Sequence, residues 1–413
     1  MTAAAAPKLS RTLPAVYAAA AVRLLLPVLV LPLMATRMGA EEFGRLSFVL
    51  VWSALLAMVV EGGFLAAATR LAVNADAPRR WELAQQVFSA RCVLCVPAVA
   101  LSIIAVQLAG QGGEPWADTL TIAALACALG WPATWYLQAT QQLARWAQVE
   151  LVVYALLIAA SWAFAYSAIV YLTLQLIAST LLAMLGWWWL RRDLPGQQGL
   201  WSAPAVRPGL RLGWTMMPVS IAGAAYSYAL PAAASLQMSK PDLGTYFMAD
   251  RLVRAVINAA EPVFAVVYPR IVTLFQQGAR TALRYAARWS LGGAAVGLAL
   301  YALGVAGWQL IEPLVLDRAG GIDLATLRAT MLVLGALLPL LLGWKFIGYW
   351  MLGSGRFDTA YRSCVVIGGI AGTLGAATWG GAAGAVGLAW VAIGVELLVM
   401  TVAVVGMWLT ARR

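Results

Sequence analysis

Apolar stretches of membrane-crossing length follow one another from residue 13 to residue 410, separated by short polar junctions. A helix needs about twenty apolar residues to cross a bilayer core. On that measure the chain divides into spans near 13–36, 43–72, 83–108, 116–140, 145–165, 168–190, 213–237, 244–272, 284–310, 325–351, 357–378 and 384–410, twelve in all. Composition agrees, because 62% hydrophobic and 11% charged residues leave too few polar groups to clothe a water-soluble chain of 413 residues. The expectation is an all-α polytopic membrane protein. Residues 191–212, rich in Pro, Gly and Arg, form the one sizeable linker and divide the spans into two six-helix bundles, 1–190 and 213–413.

Lys and Arg set the orientation. With a cytoplasmic N-terminus, the inner segments carry seventeen of them, including Arg79, Arg80, Arg280, Arg284 and Arg288, against five in the outer segments. Both termini are therefore expected in the cytoplasm. The same asymmetry assigns most of the net charge of +11 to anionic lipid headgroups, and no nucleic-acid recognition module is visible. The opening MTAAAAPKLSRT leads into span one without a convincing cleavage site, which predicts a retained first helix. Cys92, Cys95, Cys127 and Cys364 lie in apolar helices and the chain has no His, so neither a metal site nor a redox pair is expected. No cofactor is expected either. The Gly-rich run 368–387 lacks a phosphate-loop signature and reads as close helix packing.

Spans two and eight match at an offset of 200 residues: Glu42 with Asp242, Gly44 with Gly244, Glu61 with Glu261, Phe64 with Phe264 and Arg70 with Arg270. Six spans separate the copies, so both halves enter the membrane from the same side as a parallel repeat. The match includes the places where a helix is expected to break, Glu61-Gly62-Gly63 and Glu261-Pro262.

An ionised residue at mid-membrane costs roughly 2.5–3.5 kcal/mol even on lenient insertion scales, so those found there are expected to face protein or water. Arg23 stands near the middle of span one, ahead of Pro27 and Pro32; Arg91 is in span three, Lys345 in span ten and Glu396 in span twelve. In span eight Arg251, Arg254, Asn258 and Glu261 recur at i, i+3, i+7 and i+10 and share one helical face, with Asp250, next to Arg251 but off that face, as a local counter-charge. Arg70 and Arg270, nearer the inner surface, serve equally well as snorkelling anchors. Trp187-Trp188-Trp189 before Arg191-Arg192 reads as an interfacial anchor. Deep bases outnumber deep acids, and guanidinium groups fit phosphate oxygens, which favours an anionic, phosphate-bearing cargo. The competing explanation is pairing among the buried charges, such as Arg254 with Glu261.

Three stretches resemble one family: LMATRMGAEEFG at 33–44, EGGFLAAATR at 61–70, and LGTYFMADRLVR at 243–254 with Tyr268-Pro269-Arg270. They look like the oligosaccharide-lipid flippases, the O-antigen and exopolysaccharide translocases of the multidrug/oligosaccharidyl-lipid/polysaccharide exporter superfamily. The resemblance implies a V-shaped pair of six-helix bundles in the bacterial inner membrane. It further implies that an undecaprenyl-diphosphate-linked oligosaccharide passes from the cytoplasmic to the outer leaflet by alternating access through a cationic central cavity, with no enzymatic step. Arg23, Arg70, Arg251 and Arg254 match the family's cationic positions and would hold diphosphate and acidic sugars; Arg91, Asn258 and Lys345 complete the candidate substrate contacts. Glu61 departs from the pattern, which has Asp before the glycine.

With no nucleotide-binding segment, coupling falls to a proton, for which Glu61, Glu261 and Glu396 are candidate carriers, or to membrane potential. The implied partners are a lipid-linked anionic oligosaccharide and the phospholipid bilayer, with a polysaccharide polymerase and a chain-length regulator as further ones. Two alternatives come from the same superfamily: a peptidoglycan-precursor flippase, usually with helices beyond twelve, and a drug/cation antiporter, which would want an acid-dominated cavity. A membrane glycan polymerase or ligase would need a large external loop, and Glu312–Asp323 is short.

Overall fold

The computed structural model describes residues 9–73, 75–110, 115–194, 199–217, 228–275, 277–308, 323–354, 357–380 and 383–412, with side chains of the first helix from Leu26 onward. Most of expected span seven, and the acidic loop apart from Asp323, lie outside them. The first half comprises α1 (Leu9–Glu61), α2 (Phe64–Ala72), α3 (Ala77–Ala109), α4 (Pro115–Gly130), α5 (Thr134–Ala139), α6 (Leu143–Phe164), α7 (Ala168–Asp193) and α8 (Ala203–Trp214). The second comprises α9 (Leu230–Ala234), α10 (Lys240–Ala259), α11 (Glu261–Phe275), α12 (Ala279–Ala306), α13 (Leu324–Gly335), α14 (Leu337–Ser354), α15 (Asp358–Gly375), a π-helical turn at Ala376–Gly380, and α16 (Gly384–Arg412). No strand occurs among the described residues.

Nine stretches among them are long and apolar enough to cross a bilayer. The first, Leu26–Ala72, has 47 residues. At 1.5 Å per residue it would extend roughly 70 Å, more than twice a bilayer core. It is broken at Gly39, whose φ of 77° and ψ of 169° suit only glycine, and so supplies expected spans one and two. The α10–α11 pair is also of crossing length, and its charges lower its mean hydropathy. The described residues thus supply eleven of the twelve expected spans of a polytopic all-α protein.

Contacts group the chain into two compact units, residues 1–26 with 49–224 and residues 27–48 with 225–413. The first unit is built around tryptophan. Trp81, Trp135, Trp146 and Trp187 are all at most 6% exposed. Phe88 meets Trp131 and Trp187 edge-on, at ring separations of 5.4 and 5.2 Å. Trp187 is therefore core, whereas Trp188 is 56% exposed and lies under the Arg192 guanidinium, 5.6 Å away. The expected anchor is divided because successive helical residues point about 100° apart. The expected linker contains α8, packed against α3. A β-carbon on Gly209 would fall 2.2 Å from the Gln86 carbonyl oxygen, so glycine is what allows that contact.

In the second unit, the repeat-related glycines lie against each other. A β-carbon on Gly44 would sit 1.9 Å from the Lys240 carbonyl oxygen, and one on Gly244 would sit 3.2 Å from the Gly44 nitrogen. Glu41 pairs with Lys240 at 3.2 Å beside this crossing. Backbone cannot move aside as a side-chain tip can, so Gly44→Val should destabilise by about 1–3 kcal/mol or more. Gly304→Ala, with nothing within 4 Å of the new carbon, should leave thermal unfolding in detergent unchanged. Equal unfolding temperatures for the two variants would refute the close-packing role.

Candidate functional site

In the first unit both broken spans end on charged side chains. Glu61 closes α1, and Gly62 and Gly63 follow at φ 62° and 75°. The Glu61 carboxylate accepts hydrogen bonds from the Gly63 and Leu65 backbone N–H groups at 2.9 and 2.5 Å. It thereby caps the positive end of α2. The complementary event occurs in the fourth span, where α4 stops at Gly130 and Pro132 follows. Arg91, 1% exposed on α3, donates from one terminal nitrogen to the Trp131 and Pro132 carbonyl oxygens at 2.6 and 3.0 Å. Trp187 donates its indole N–H to the same Trp131 oxygen at 2.9 Å. A cation thus meets the negative end of α4. Glu61 and Arg91 border a cavity of about 190 Å³ that also touches Thr134, Glu150, Tyr154 and Ser179.

The second unit repeats this motif with different parts. Glu261 opens α11 just past the interruption at Ala260, and it pairs with Lys345 of α14. Lys345 stands 4.4 Å from the Phe264 ring centroid, as Arg91 stands 5.7 Å from that of Phe64. The two repeat-related phenylalanines are 0% and 1% exposed. Each half therefore has a carboxylate at a helix break, a buried phenylalanine three residues later and a cation over its ring. The cations come from non-equivalent spans, three and ten. The half-exposed Glu261–Lys345 pair, 50% and 31% exposed, contributes little to stability, on the order of 0–1 kcal/mol.

On α10, Arg254 donates from Nε to Asp250 Oδ1 at 2.7 Å, with the carboxylate side chain 5% and the guanidinium side chain 22% exposed. Asp250 is thus the local counter-charge of Arg254, since residues four apart share a helical face. The competing pairing of Arg254 with Glu261 is replaced: Glu261 pairs with Lys345, beyond the interruption at Ala260. Glu396, buried on α16, adds its negative field to Arg254. Arg251 instead lies against two aromatic rings, 5.0 Å from the centroid of Phe247 and 5.1 Å from that of Tyr228. It makes no ion pair among the described residues.

The remaining candidates are dispersed. Asn258 is exposed near the end of α10, and Arg70 is exposed in the last turn of α2. Arg23 lies in α1 where side chains are outside the described residues. The candidates are thus brought together in three groups, Glu61 with Arg91, Arg254 with Asp250 and Glu396, and Glu261 with Lys345. Sequence reasoning missed the aromatic seat of Arg251. Phe247 was legible, being four residues earlier on the same helix, whereas Tyr228 reaches it only through tertiary packing.

Residues 16–275 match the family model described as polysaccharide biosynthesis protein. The chain belongs to the polysaccharide biosynthesis protein family. No curated protein matches it in sequence. Among solved structures, it is similar to the lipid II flippase MurJ in an inward closed conformation, with a TM-score of 0.68 and 12% identity over 96% of this chain and 87% of that one. It is also similar to an inward-facing multidrug resistance MATE family transporter of the MOP superfamily, with a TM-score of 0.62 and 14% identity over 94% of each chain. At these identities the likeness is one of fold. This member of the polysaccharide biosynthesis family therefore has the helical architecture of the MOP transporters.

The enclosed Asp250–Arg254 pair gives a direct test. Asp250→Asn leaves a largely buried guanidinium without its counter-ion and should destabilise by about 3–5 kcal/mol. Adding Arg254→Gln should recover much of that loss in a thermal double-mutant cycle. Additive effects would show that the pair is not coupled.

Proposed function

We propose that the protein is a flippase that moves an undecaprenyl-diphosphate-linked oligosaccharide unit from the cytoplasmic to the outer leaflet of the bacterial inner membrane, with both termini cytoplasmic. The observation that carries this reading is Arg251. Its guanidinium carbon lies 5.0 and 5.1 Å from the Phe247 and Tyr228 ring centroids and it makes no ion pair among the described residues, so its N–H groups can serve paired hydrogen bonds to phosphate oxygens. Arg254 stands one turn away, its charge shared with Asp250. Membership of the polysaccharide biosynthesis family supports a glycan cargo, and the fold likeness to a lipid II flippase supports a lipid-linked one.

The interruptions at Gly62-Gly63 and Ala260 provide places where spans two and eight can bend during alternating access. Glu396 is the proposed proton carrier: neutralising it removes a negative field from Arg254 and strengthens that residue's hold on an anion. The protein acts as a secondary transporter and makes or breaks no covalent bond in its cargo.

Depleting the protein should cause single lipid-linked repeat units to accumulate on the inner leaflet, with loss of surface polysaccharide, measured by leaflet-selective enzymatic labelling. Re-expressed Arg251→Ala should reduce transport roughly tenfold or more, and Arg251→Lys should restore only part of it, since an ammonium lacks the paired donors. Unpolymerised units on the outer leaflet would instead indicate a polymerase. Accumulation of peptidoglycan precursor would indicate a flippase for that lipid.

A further inference from the structure

We propose that the second unit carries a binding site for an anionic phospholipid of the inner leaflet, formed by α12 with α11 and α14 and not including Arg251 or Arg254. It rests on the orientation proposed above.

The core of the site is a cavity of about 390 Å³ lined almost wholly by apolar groups, among them Val263, Phe264, Trp289, Gly292 and Phe346, with Arg288 at its edge. Helix α12 is the least enclosed of the candidate spans: only 6% of its apolar window is buried within the protein. Its surface is therefore left to acyl chains. Its glycines divide into two roles. A β-carbon on Gly293 would lie 2.3 Å from the Leu342 carbonyl oxygen, and one on Gly297 would lie 2.6 Å from that of Leu338, so these two let α12 and α14 approach closely. Gly292 has nothing within 4 Å of its would-be β-carbon and faces the cavity. Packing does not account for glycine there, whereas an open seat for a chain does.

Charge selects the headgroup. Arg280, Arg284 and Arg288 recur at i, i+4 and i+8 on the first turns of α12, all exposed and without an ion pair among the described residues. Three cations at a helix N-terminus oppose the helix dipole, so the helix itself gives no reason for them. The positive-inside distribution places this end at the cytoplasmic leaflet, where a phosphate headgroup would meet the arginines as its acyl chain enters the cavity. Ala260, the interruption of span eight, also borders the cavity. A lipid seated there packs against the bend of the helix that carries Arg251 and would bias its conformation.

The test uses the purified full-length protein, delipidated and titrated with phosphatidylglycerol or phosphatidylcholine of identical chains, with bound lipid counted by native mass spectrometry. Wild type should retain phosphatidylglycerol with a preference of roughly 30- to 150-fold, as expected for two or three arginines near the headgroup. Gly292→Leu should reduce retention of both lipids several-fold by filling the seat. Arg284→Gln with Arg288→Gln should erase the preference while leaving weak binding of both. Equal retention of the two lipids by wild type, or undiminished phosphatidylglycerol retention in both variants, would overturn the proposal. So would a site that takes undecaprenyl phosphate and refuses phosphatidylglycerol.

Discussion

A helix interrupted inside a bilayer exposes backbone N–H and C=O groups to a medium without water, and each must find a partner. The first unit answers this with charge. Glu61 receives the free N–H groups at the start of α2, and Arg91 donates to the free carbonyl groups after α4. Both charges are stabilised by the helix ends they cap, and the helix ends are stabilised in turn. The breaks can then persist as built features, which is what allows spans two and four to be discontinuous without unfolding locally.

That constraint also sorts the deep bases. Arg91 is committed to carbonyl oxygens, Arg254 to Asp250 and Lys345 to Glu261. Pairing thus consumes more of the cationic set than counting charges along the sequence suggests. Arg251 lies against aromatic rings, which do not neutralise its charge.

The matched Glu–Phe–cation groups extend the sequence repeat into three dimensions. The carboxylate and the phenylalanine are inherited at the 200-residue offset, while the cation is supplied once by α3 and once by α14. Equivalent chemistry has been reached from non-equivalent helices. The two groups differ in enclosure, Arg91 being 1% exposed and the Lys345 side chain 31% exposed. The first is a rigid cap, and the second has more freedom to exchange partners.

Much of this was legible in the sequence because the bilayer makes local rules strict. Spans 145–165 and 168–190 were expected with a two-residue junction, and α6 and α7 end and begin at Phe164 and Ala168. The breaks at Gly62-Gly63 and beside Glu261 followed from glycine and proline alone. Other features were not legible. Residues 191–212 read as a linker, yet α8 docks on α3 because Gly209 permits a backbone contact that no periodicity announces. Helical spacing could propose that Arg254 and Glu261 share a face, but the helix is interrupted at Ala260 between them, and Arg254 pairs with Asp250 while Glu261 pairs with Lys345. The sequence by itself determined the class, the spans found among the described residues, the breaks in spans two and eight and the presence of deep charge, since each depends on residues close together in the chain. Only tertiary structure decided which charge is capped, paired or left open, because the partners of Arg91, Lys345 and Arg251 include groups 40, 84 and 23 positions away in the chain.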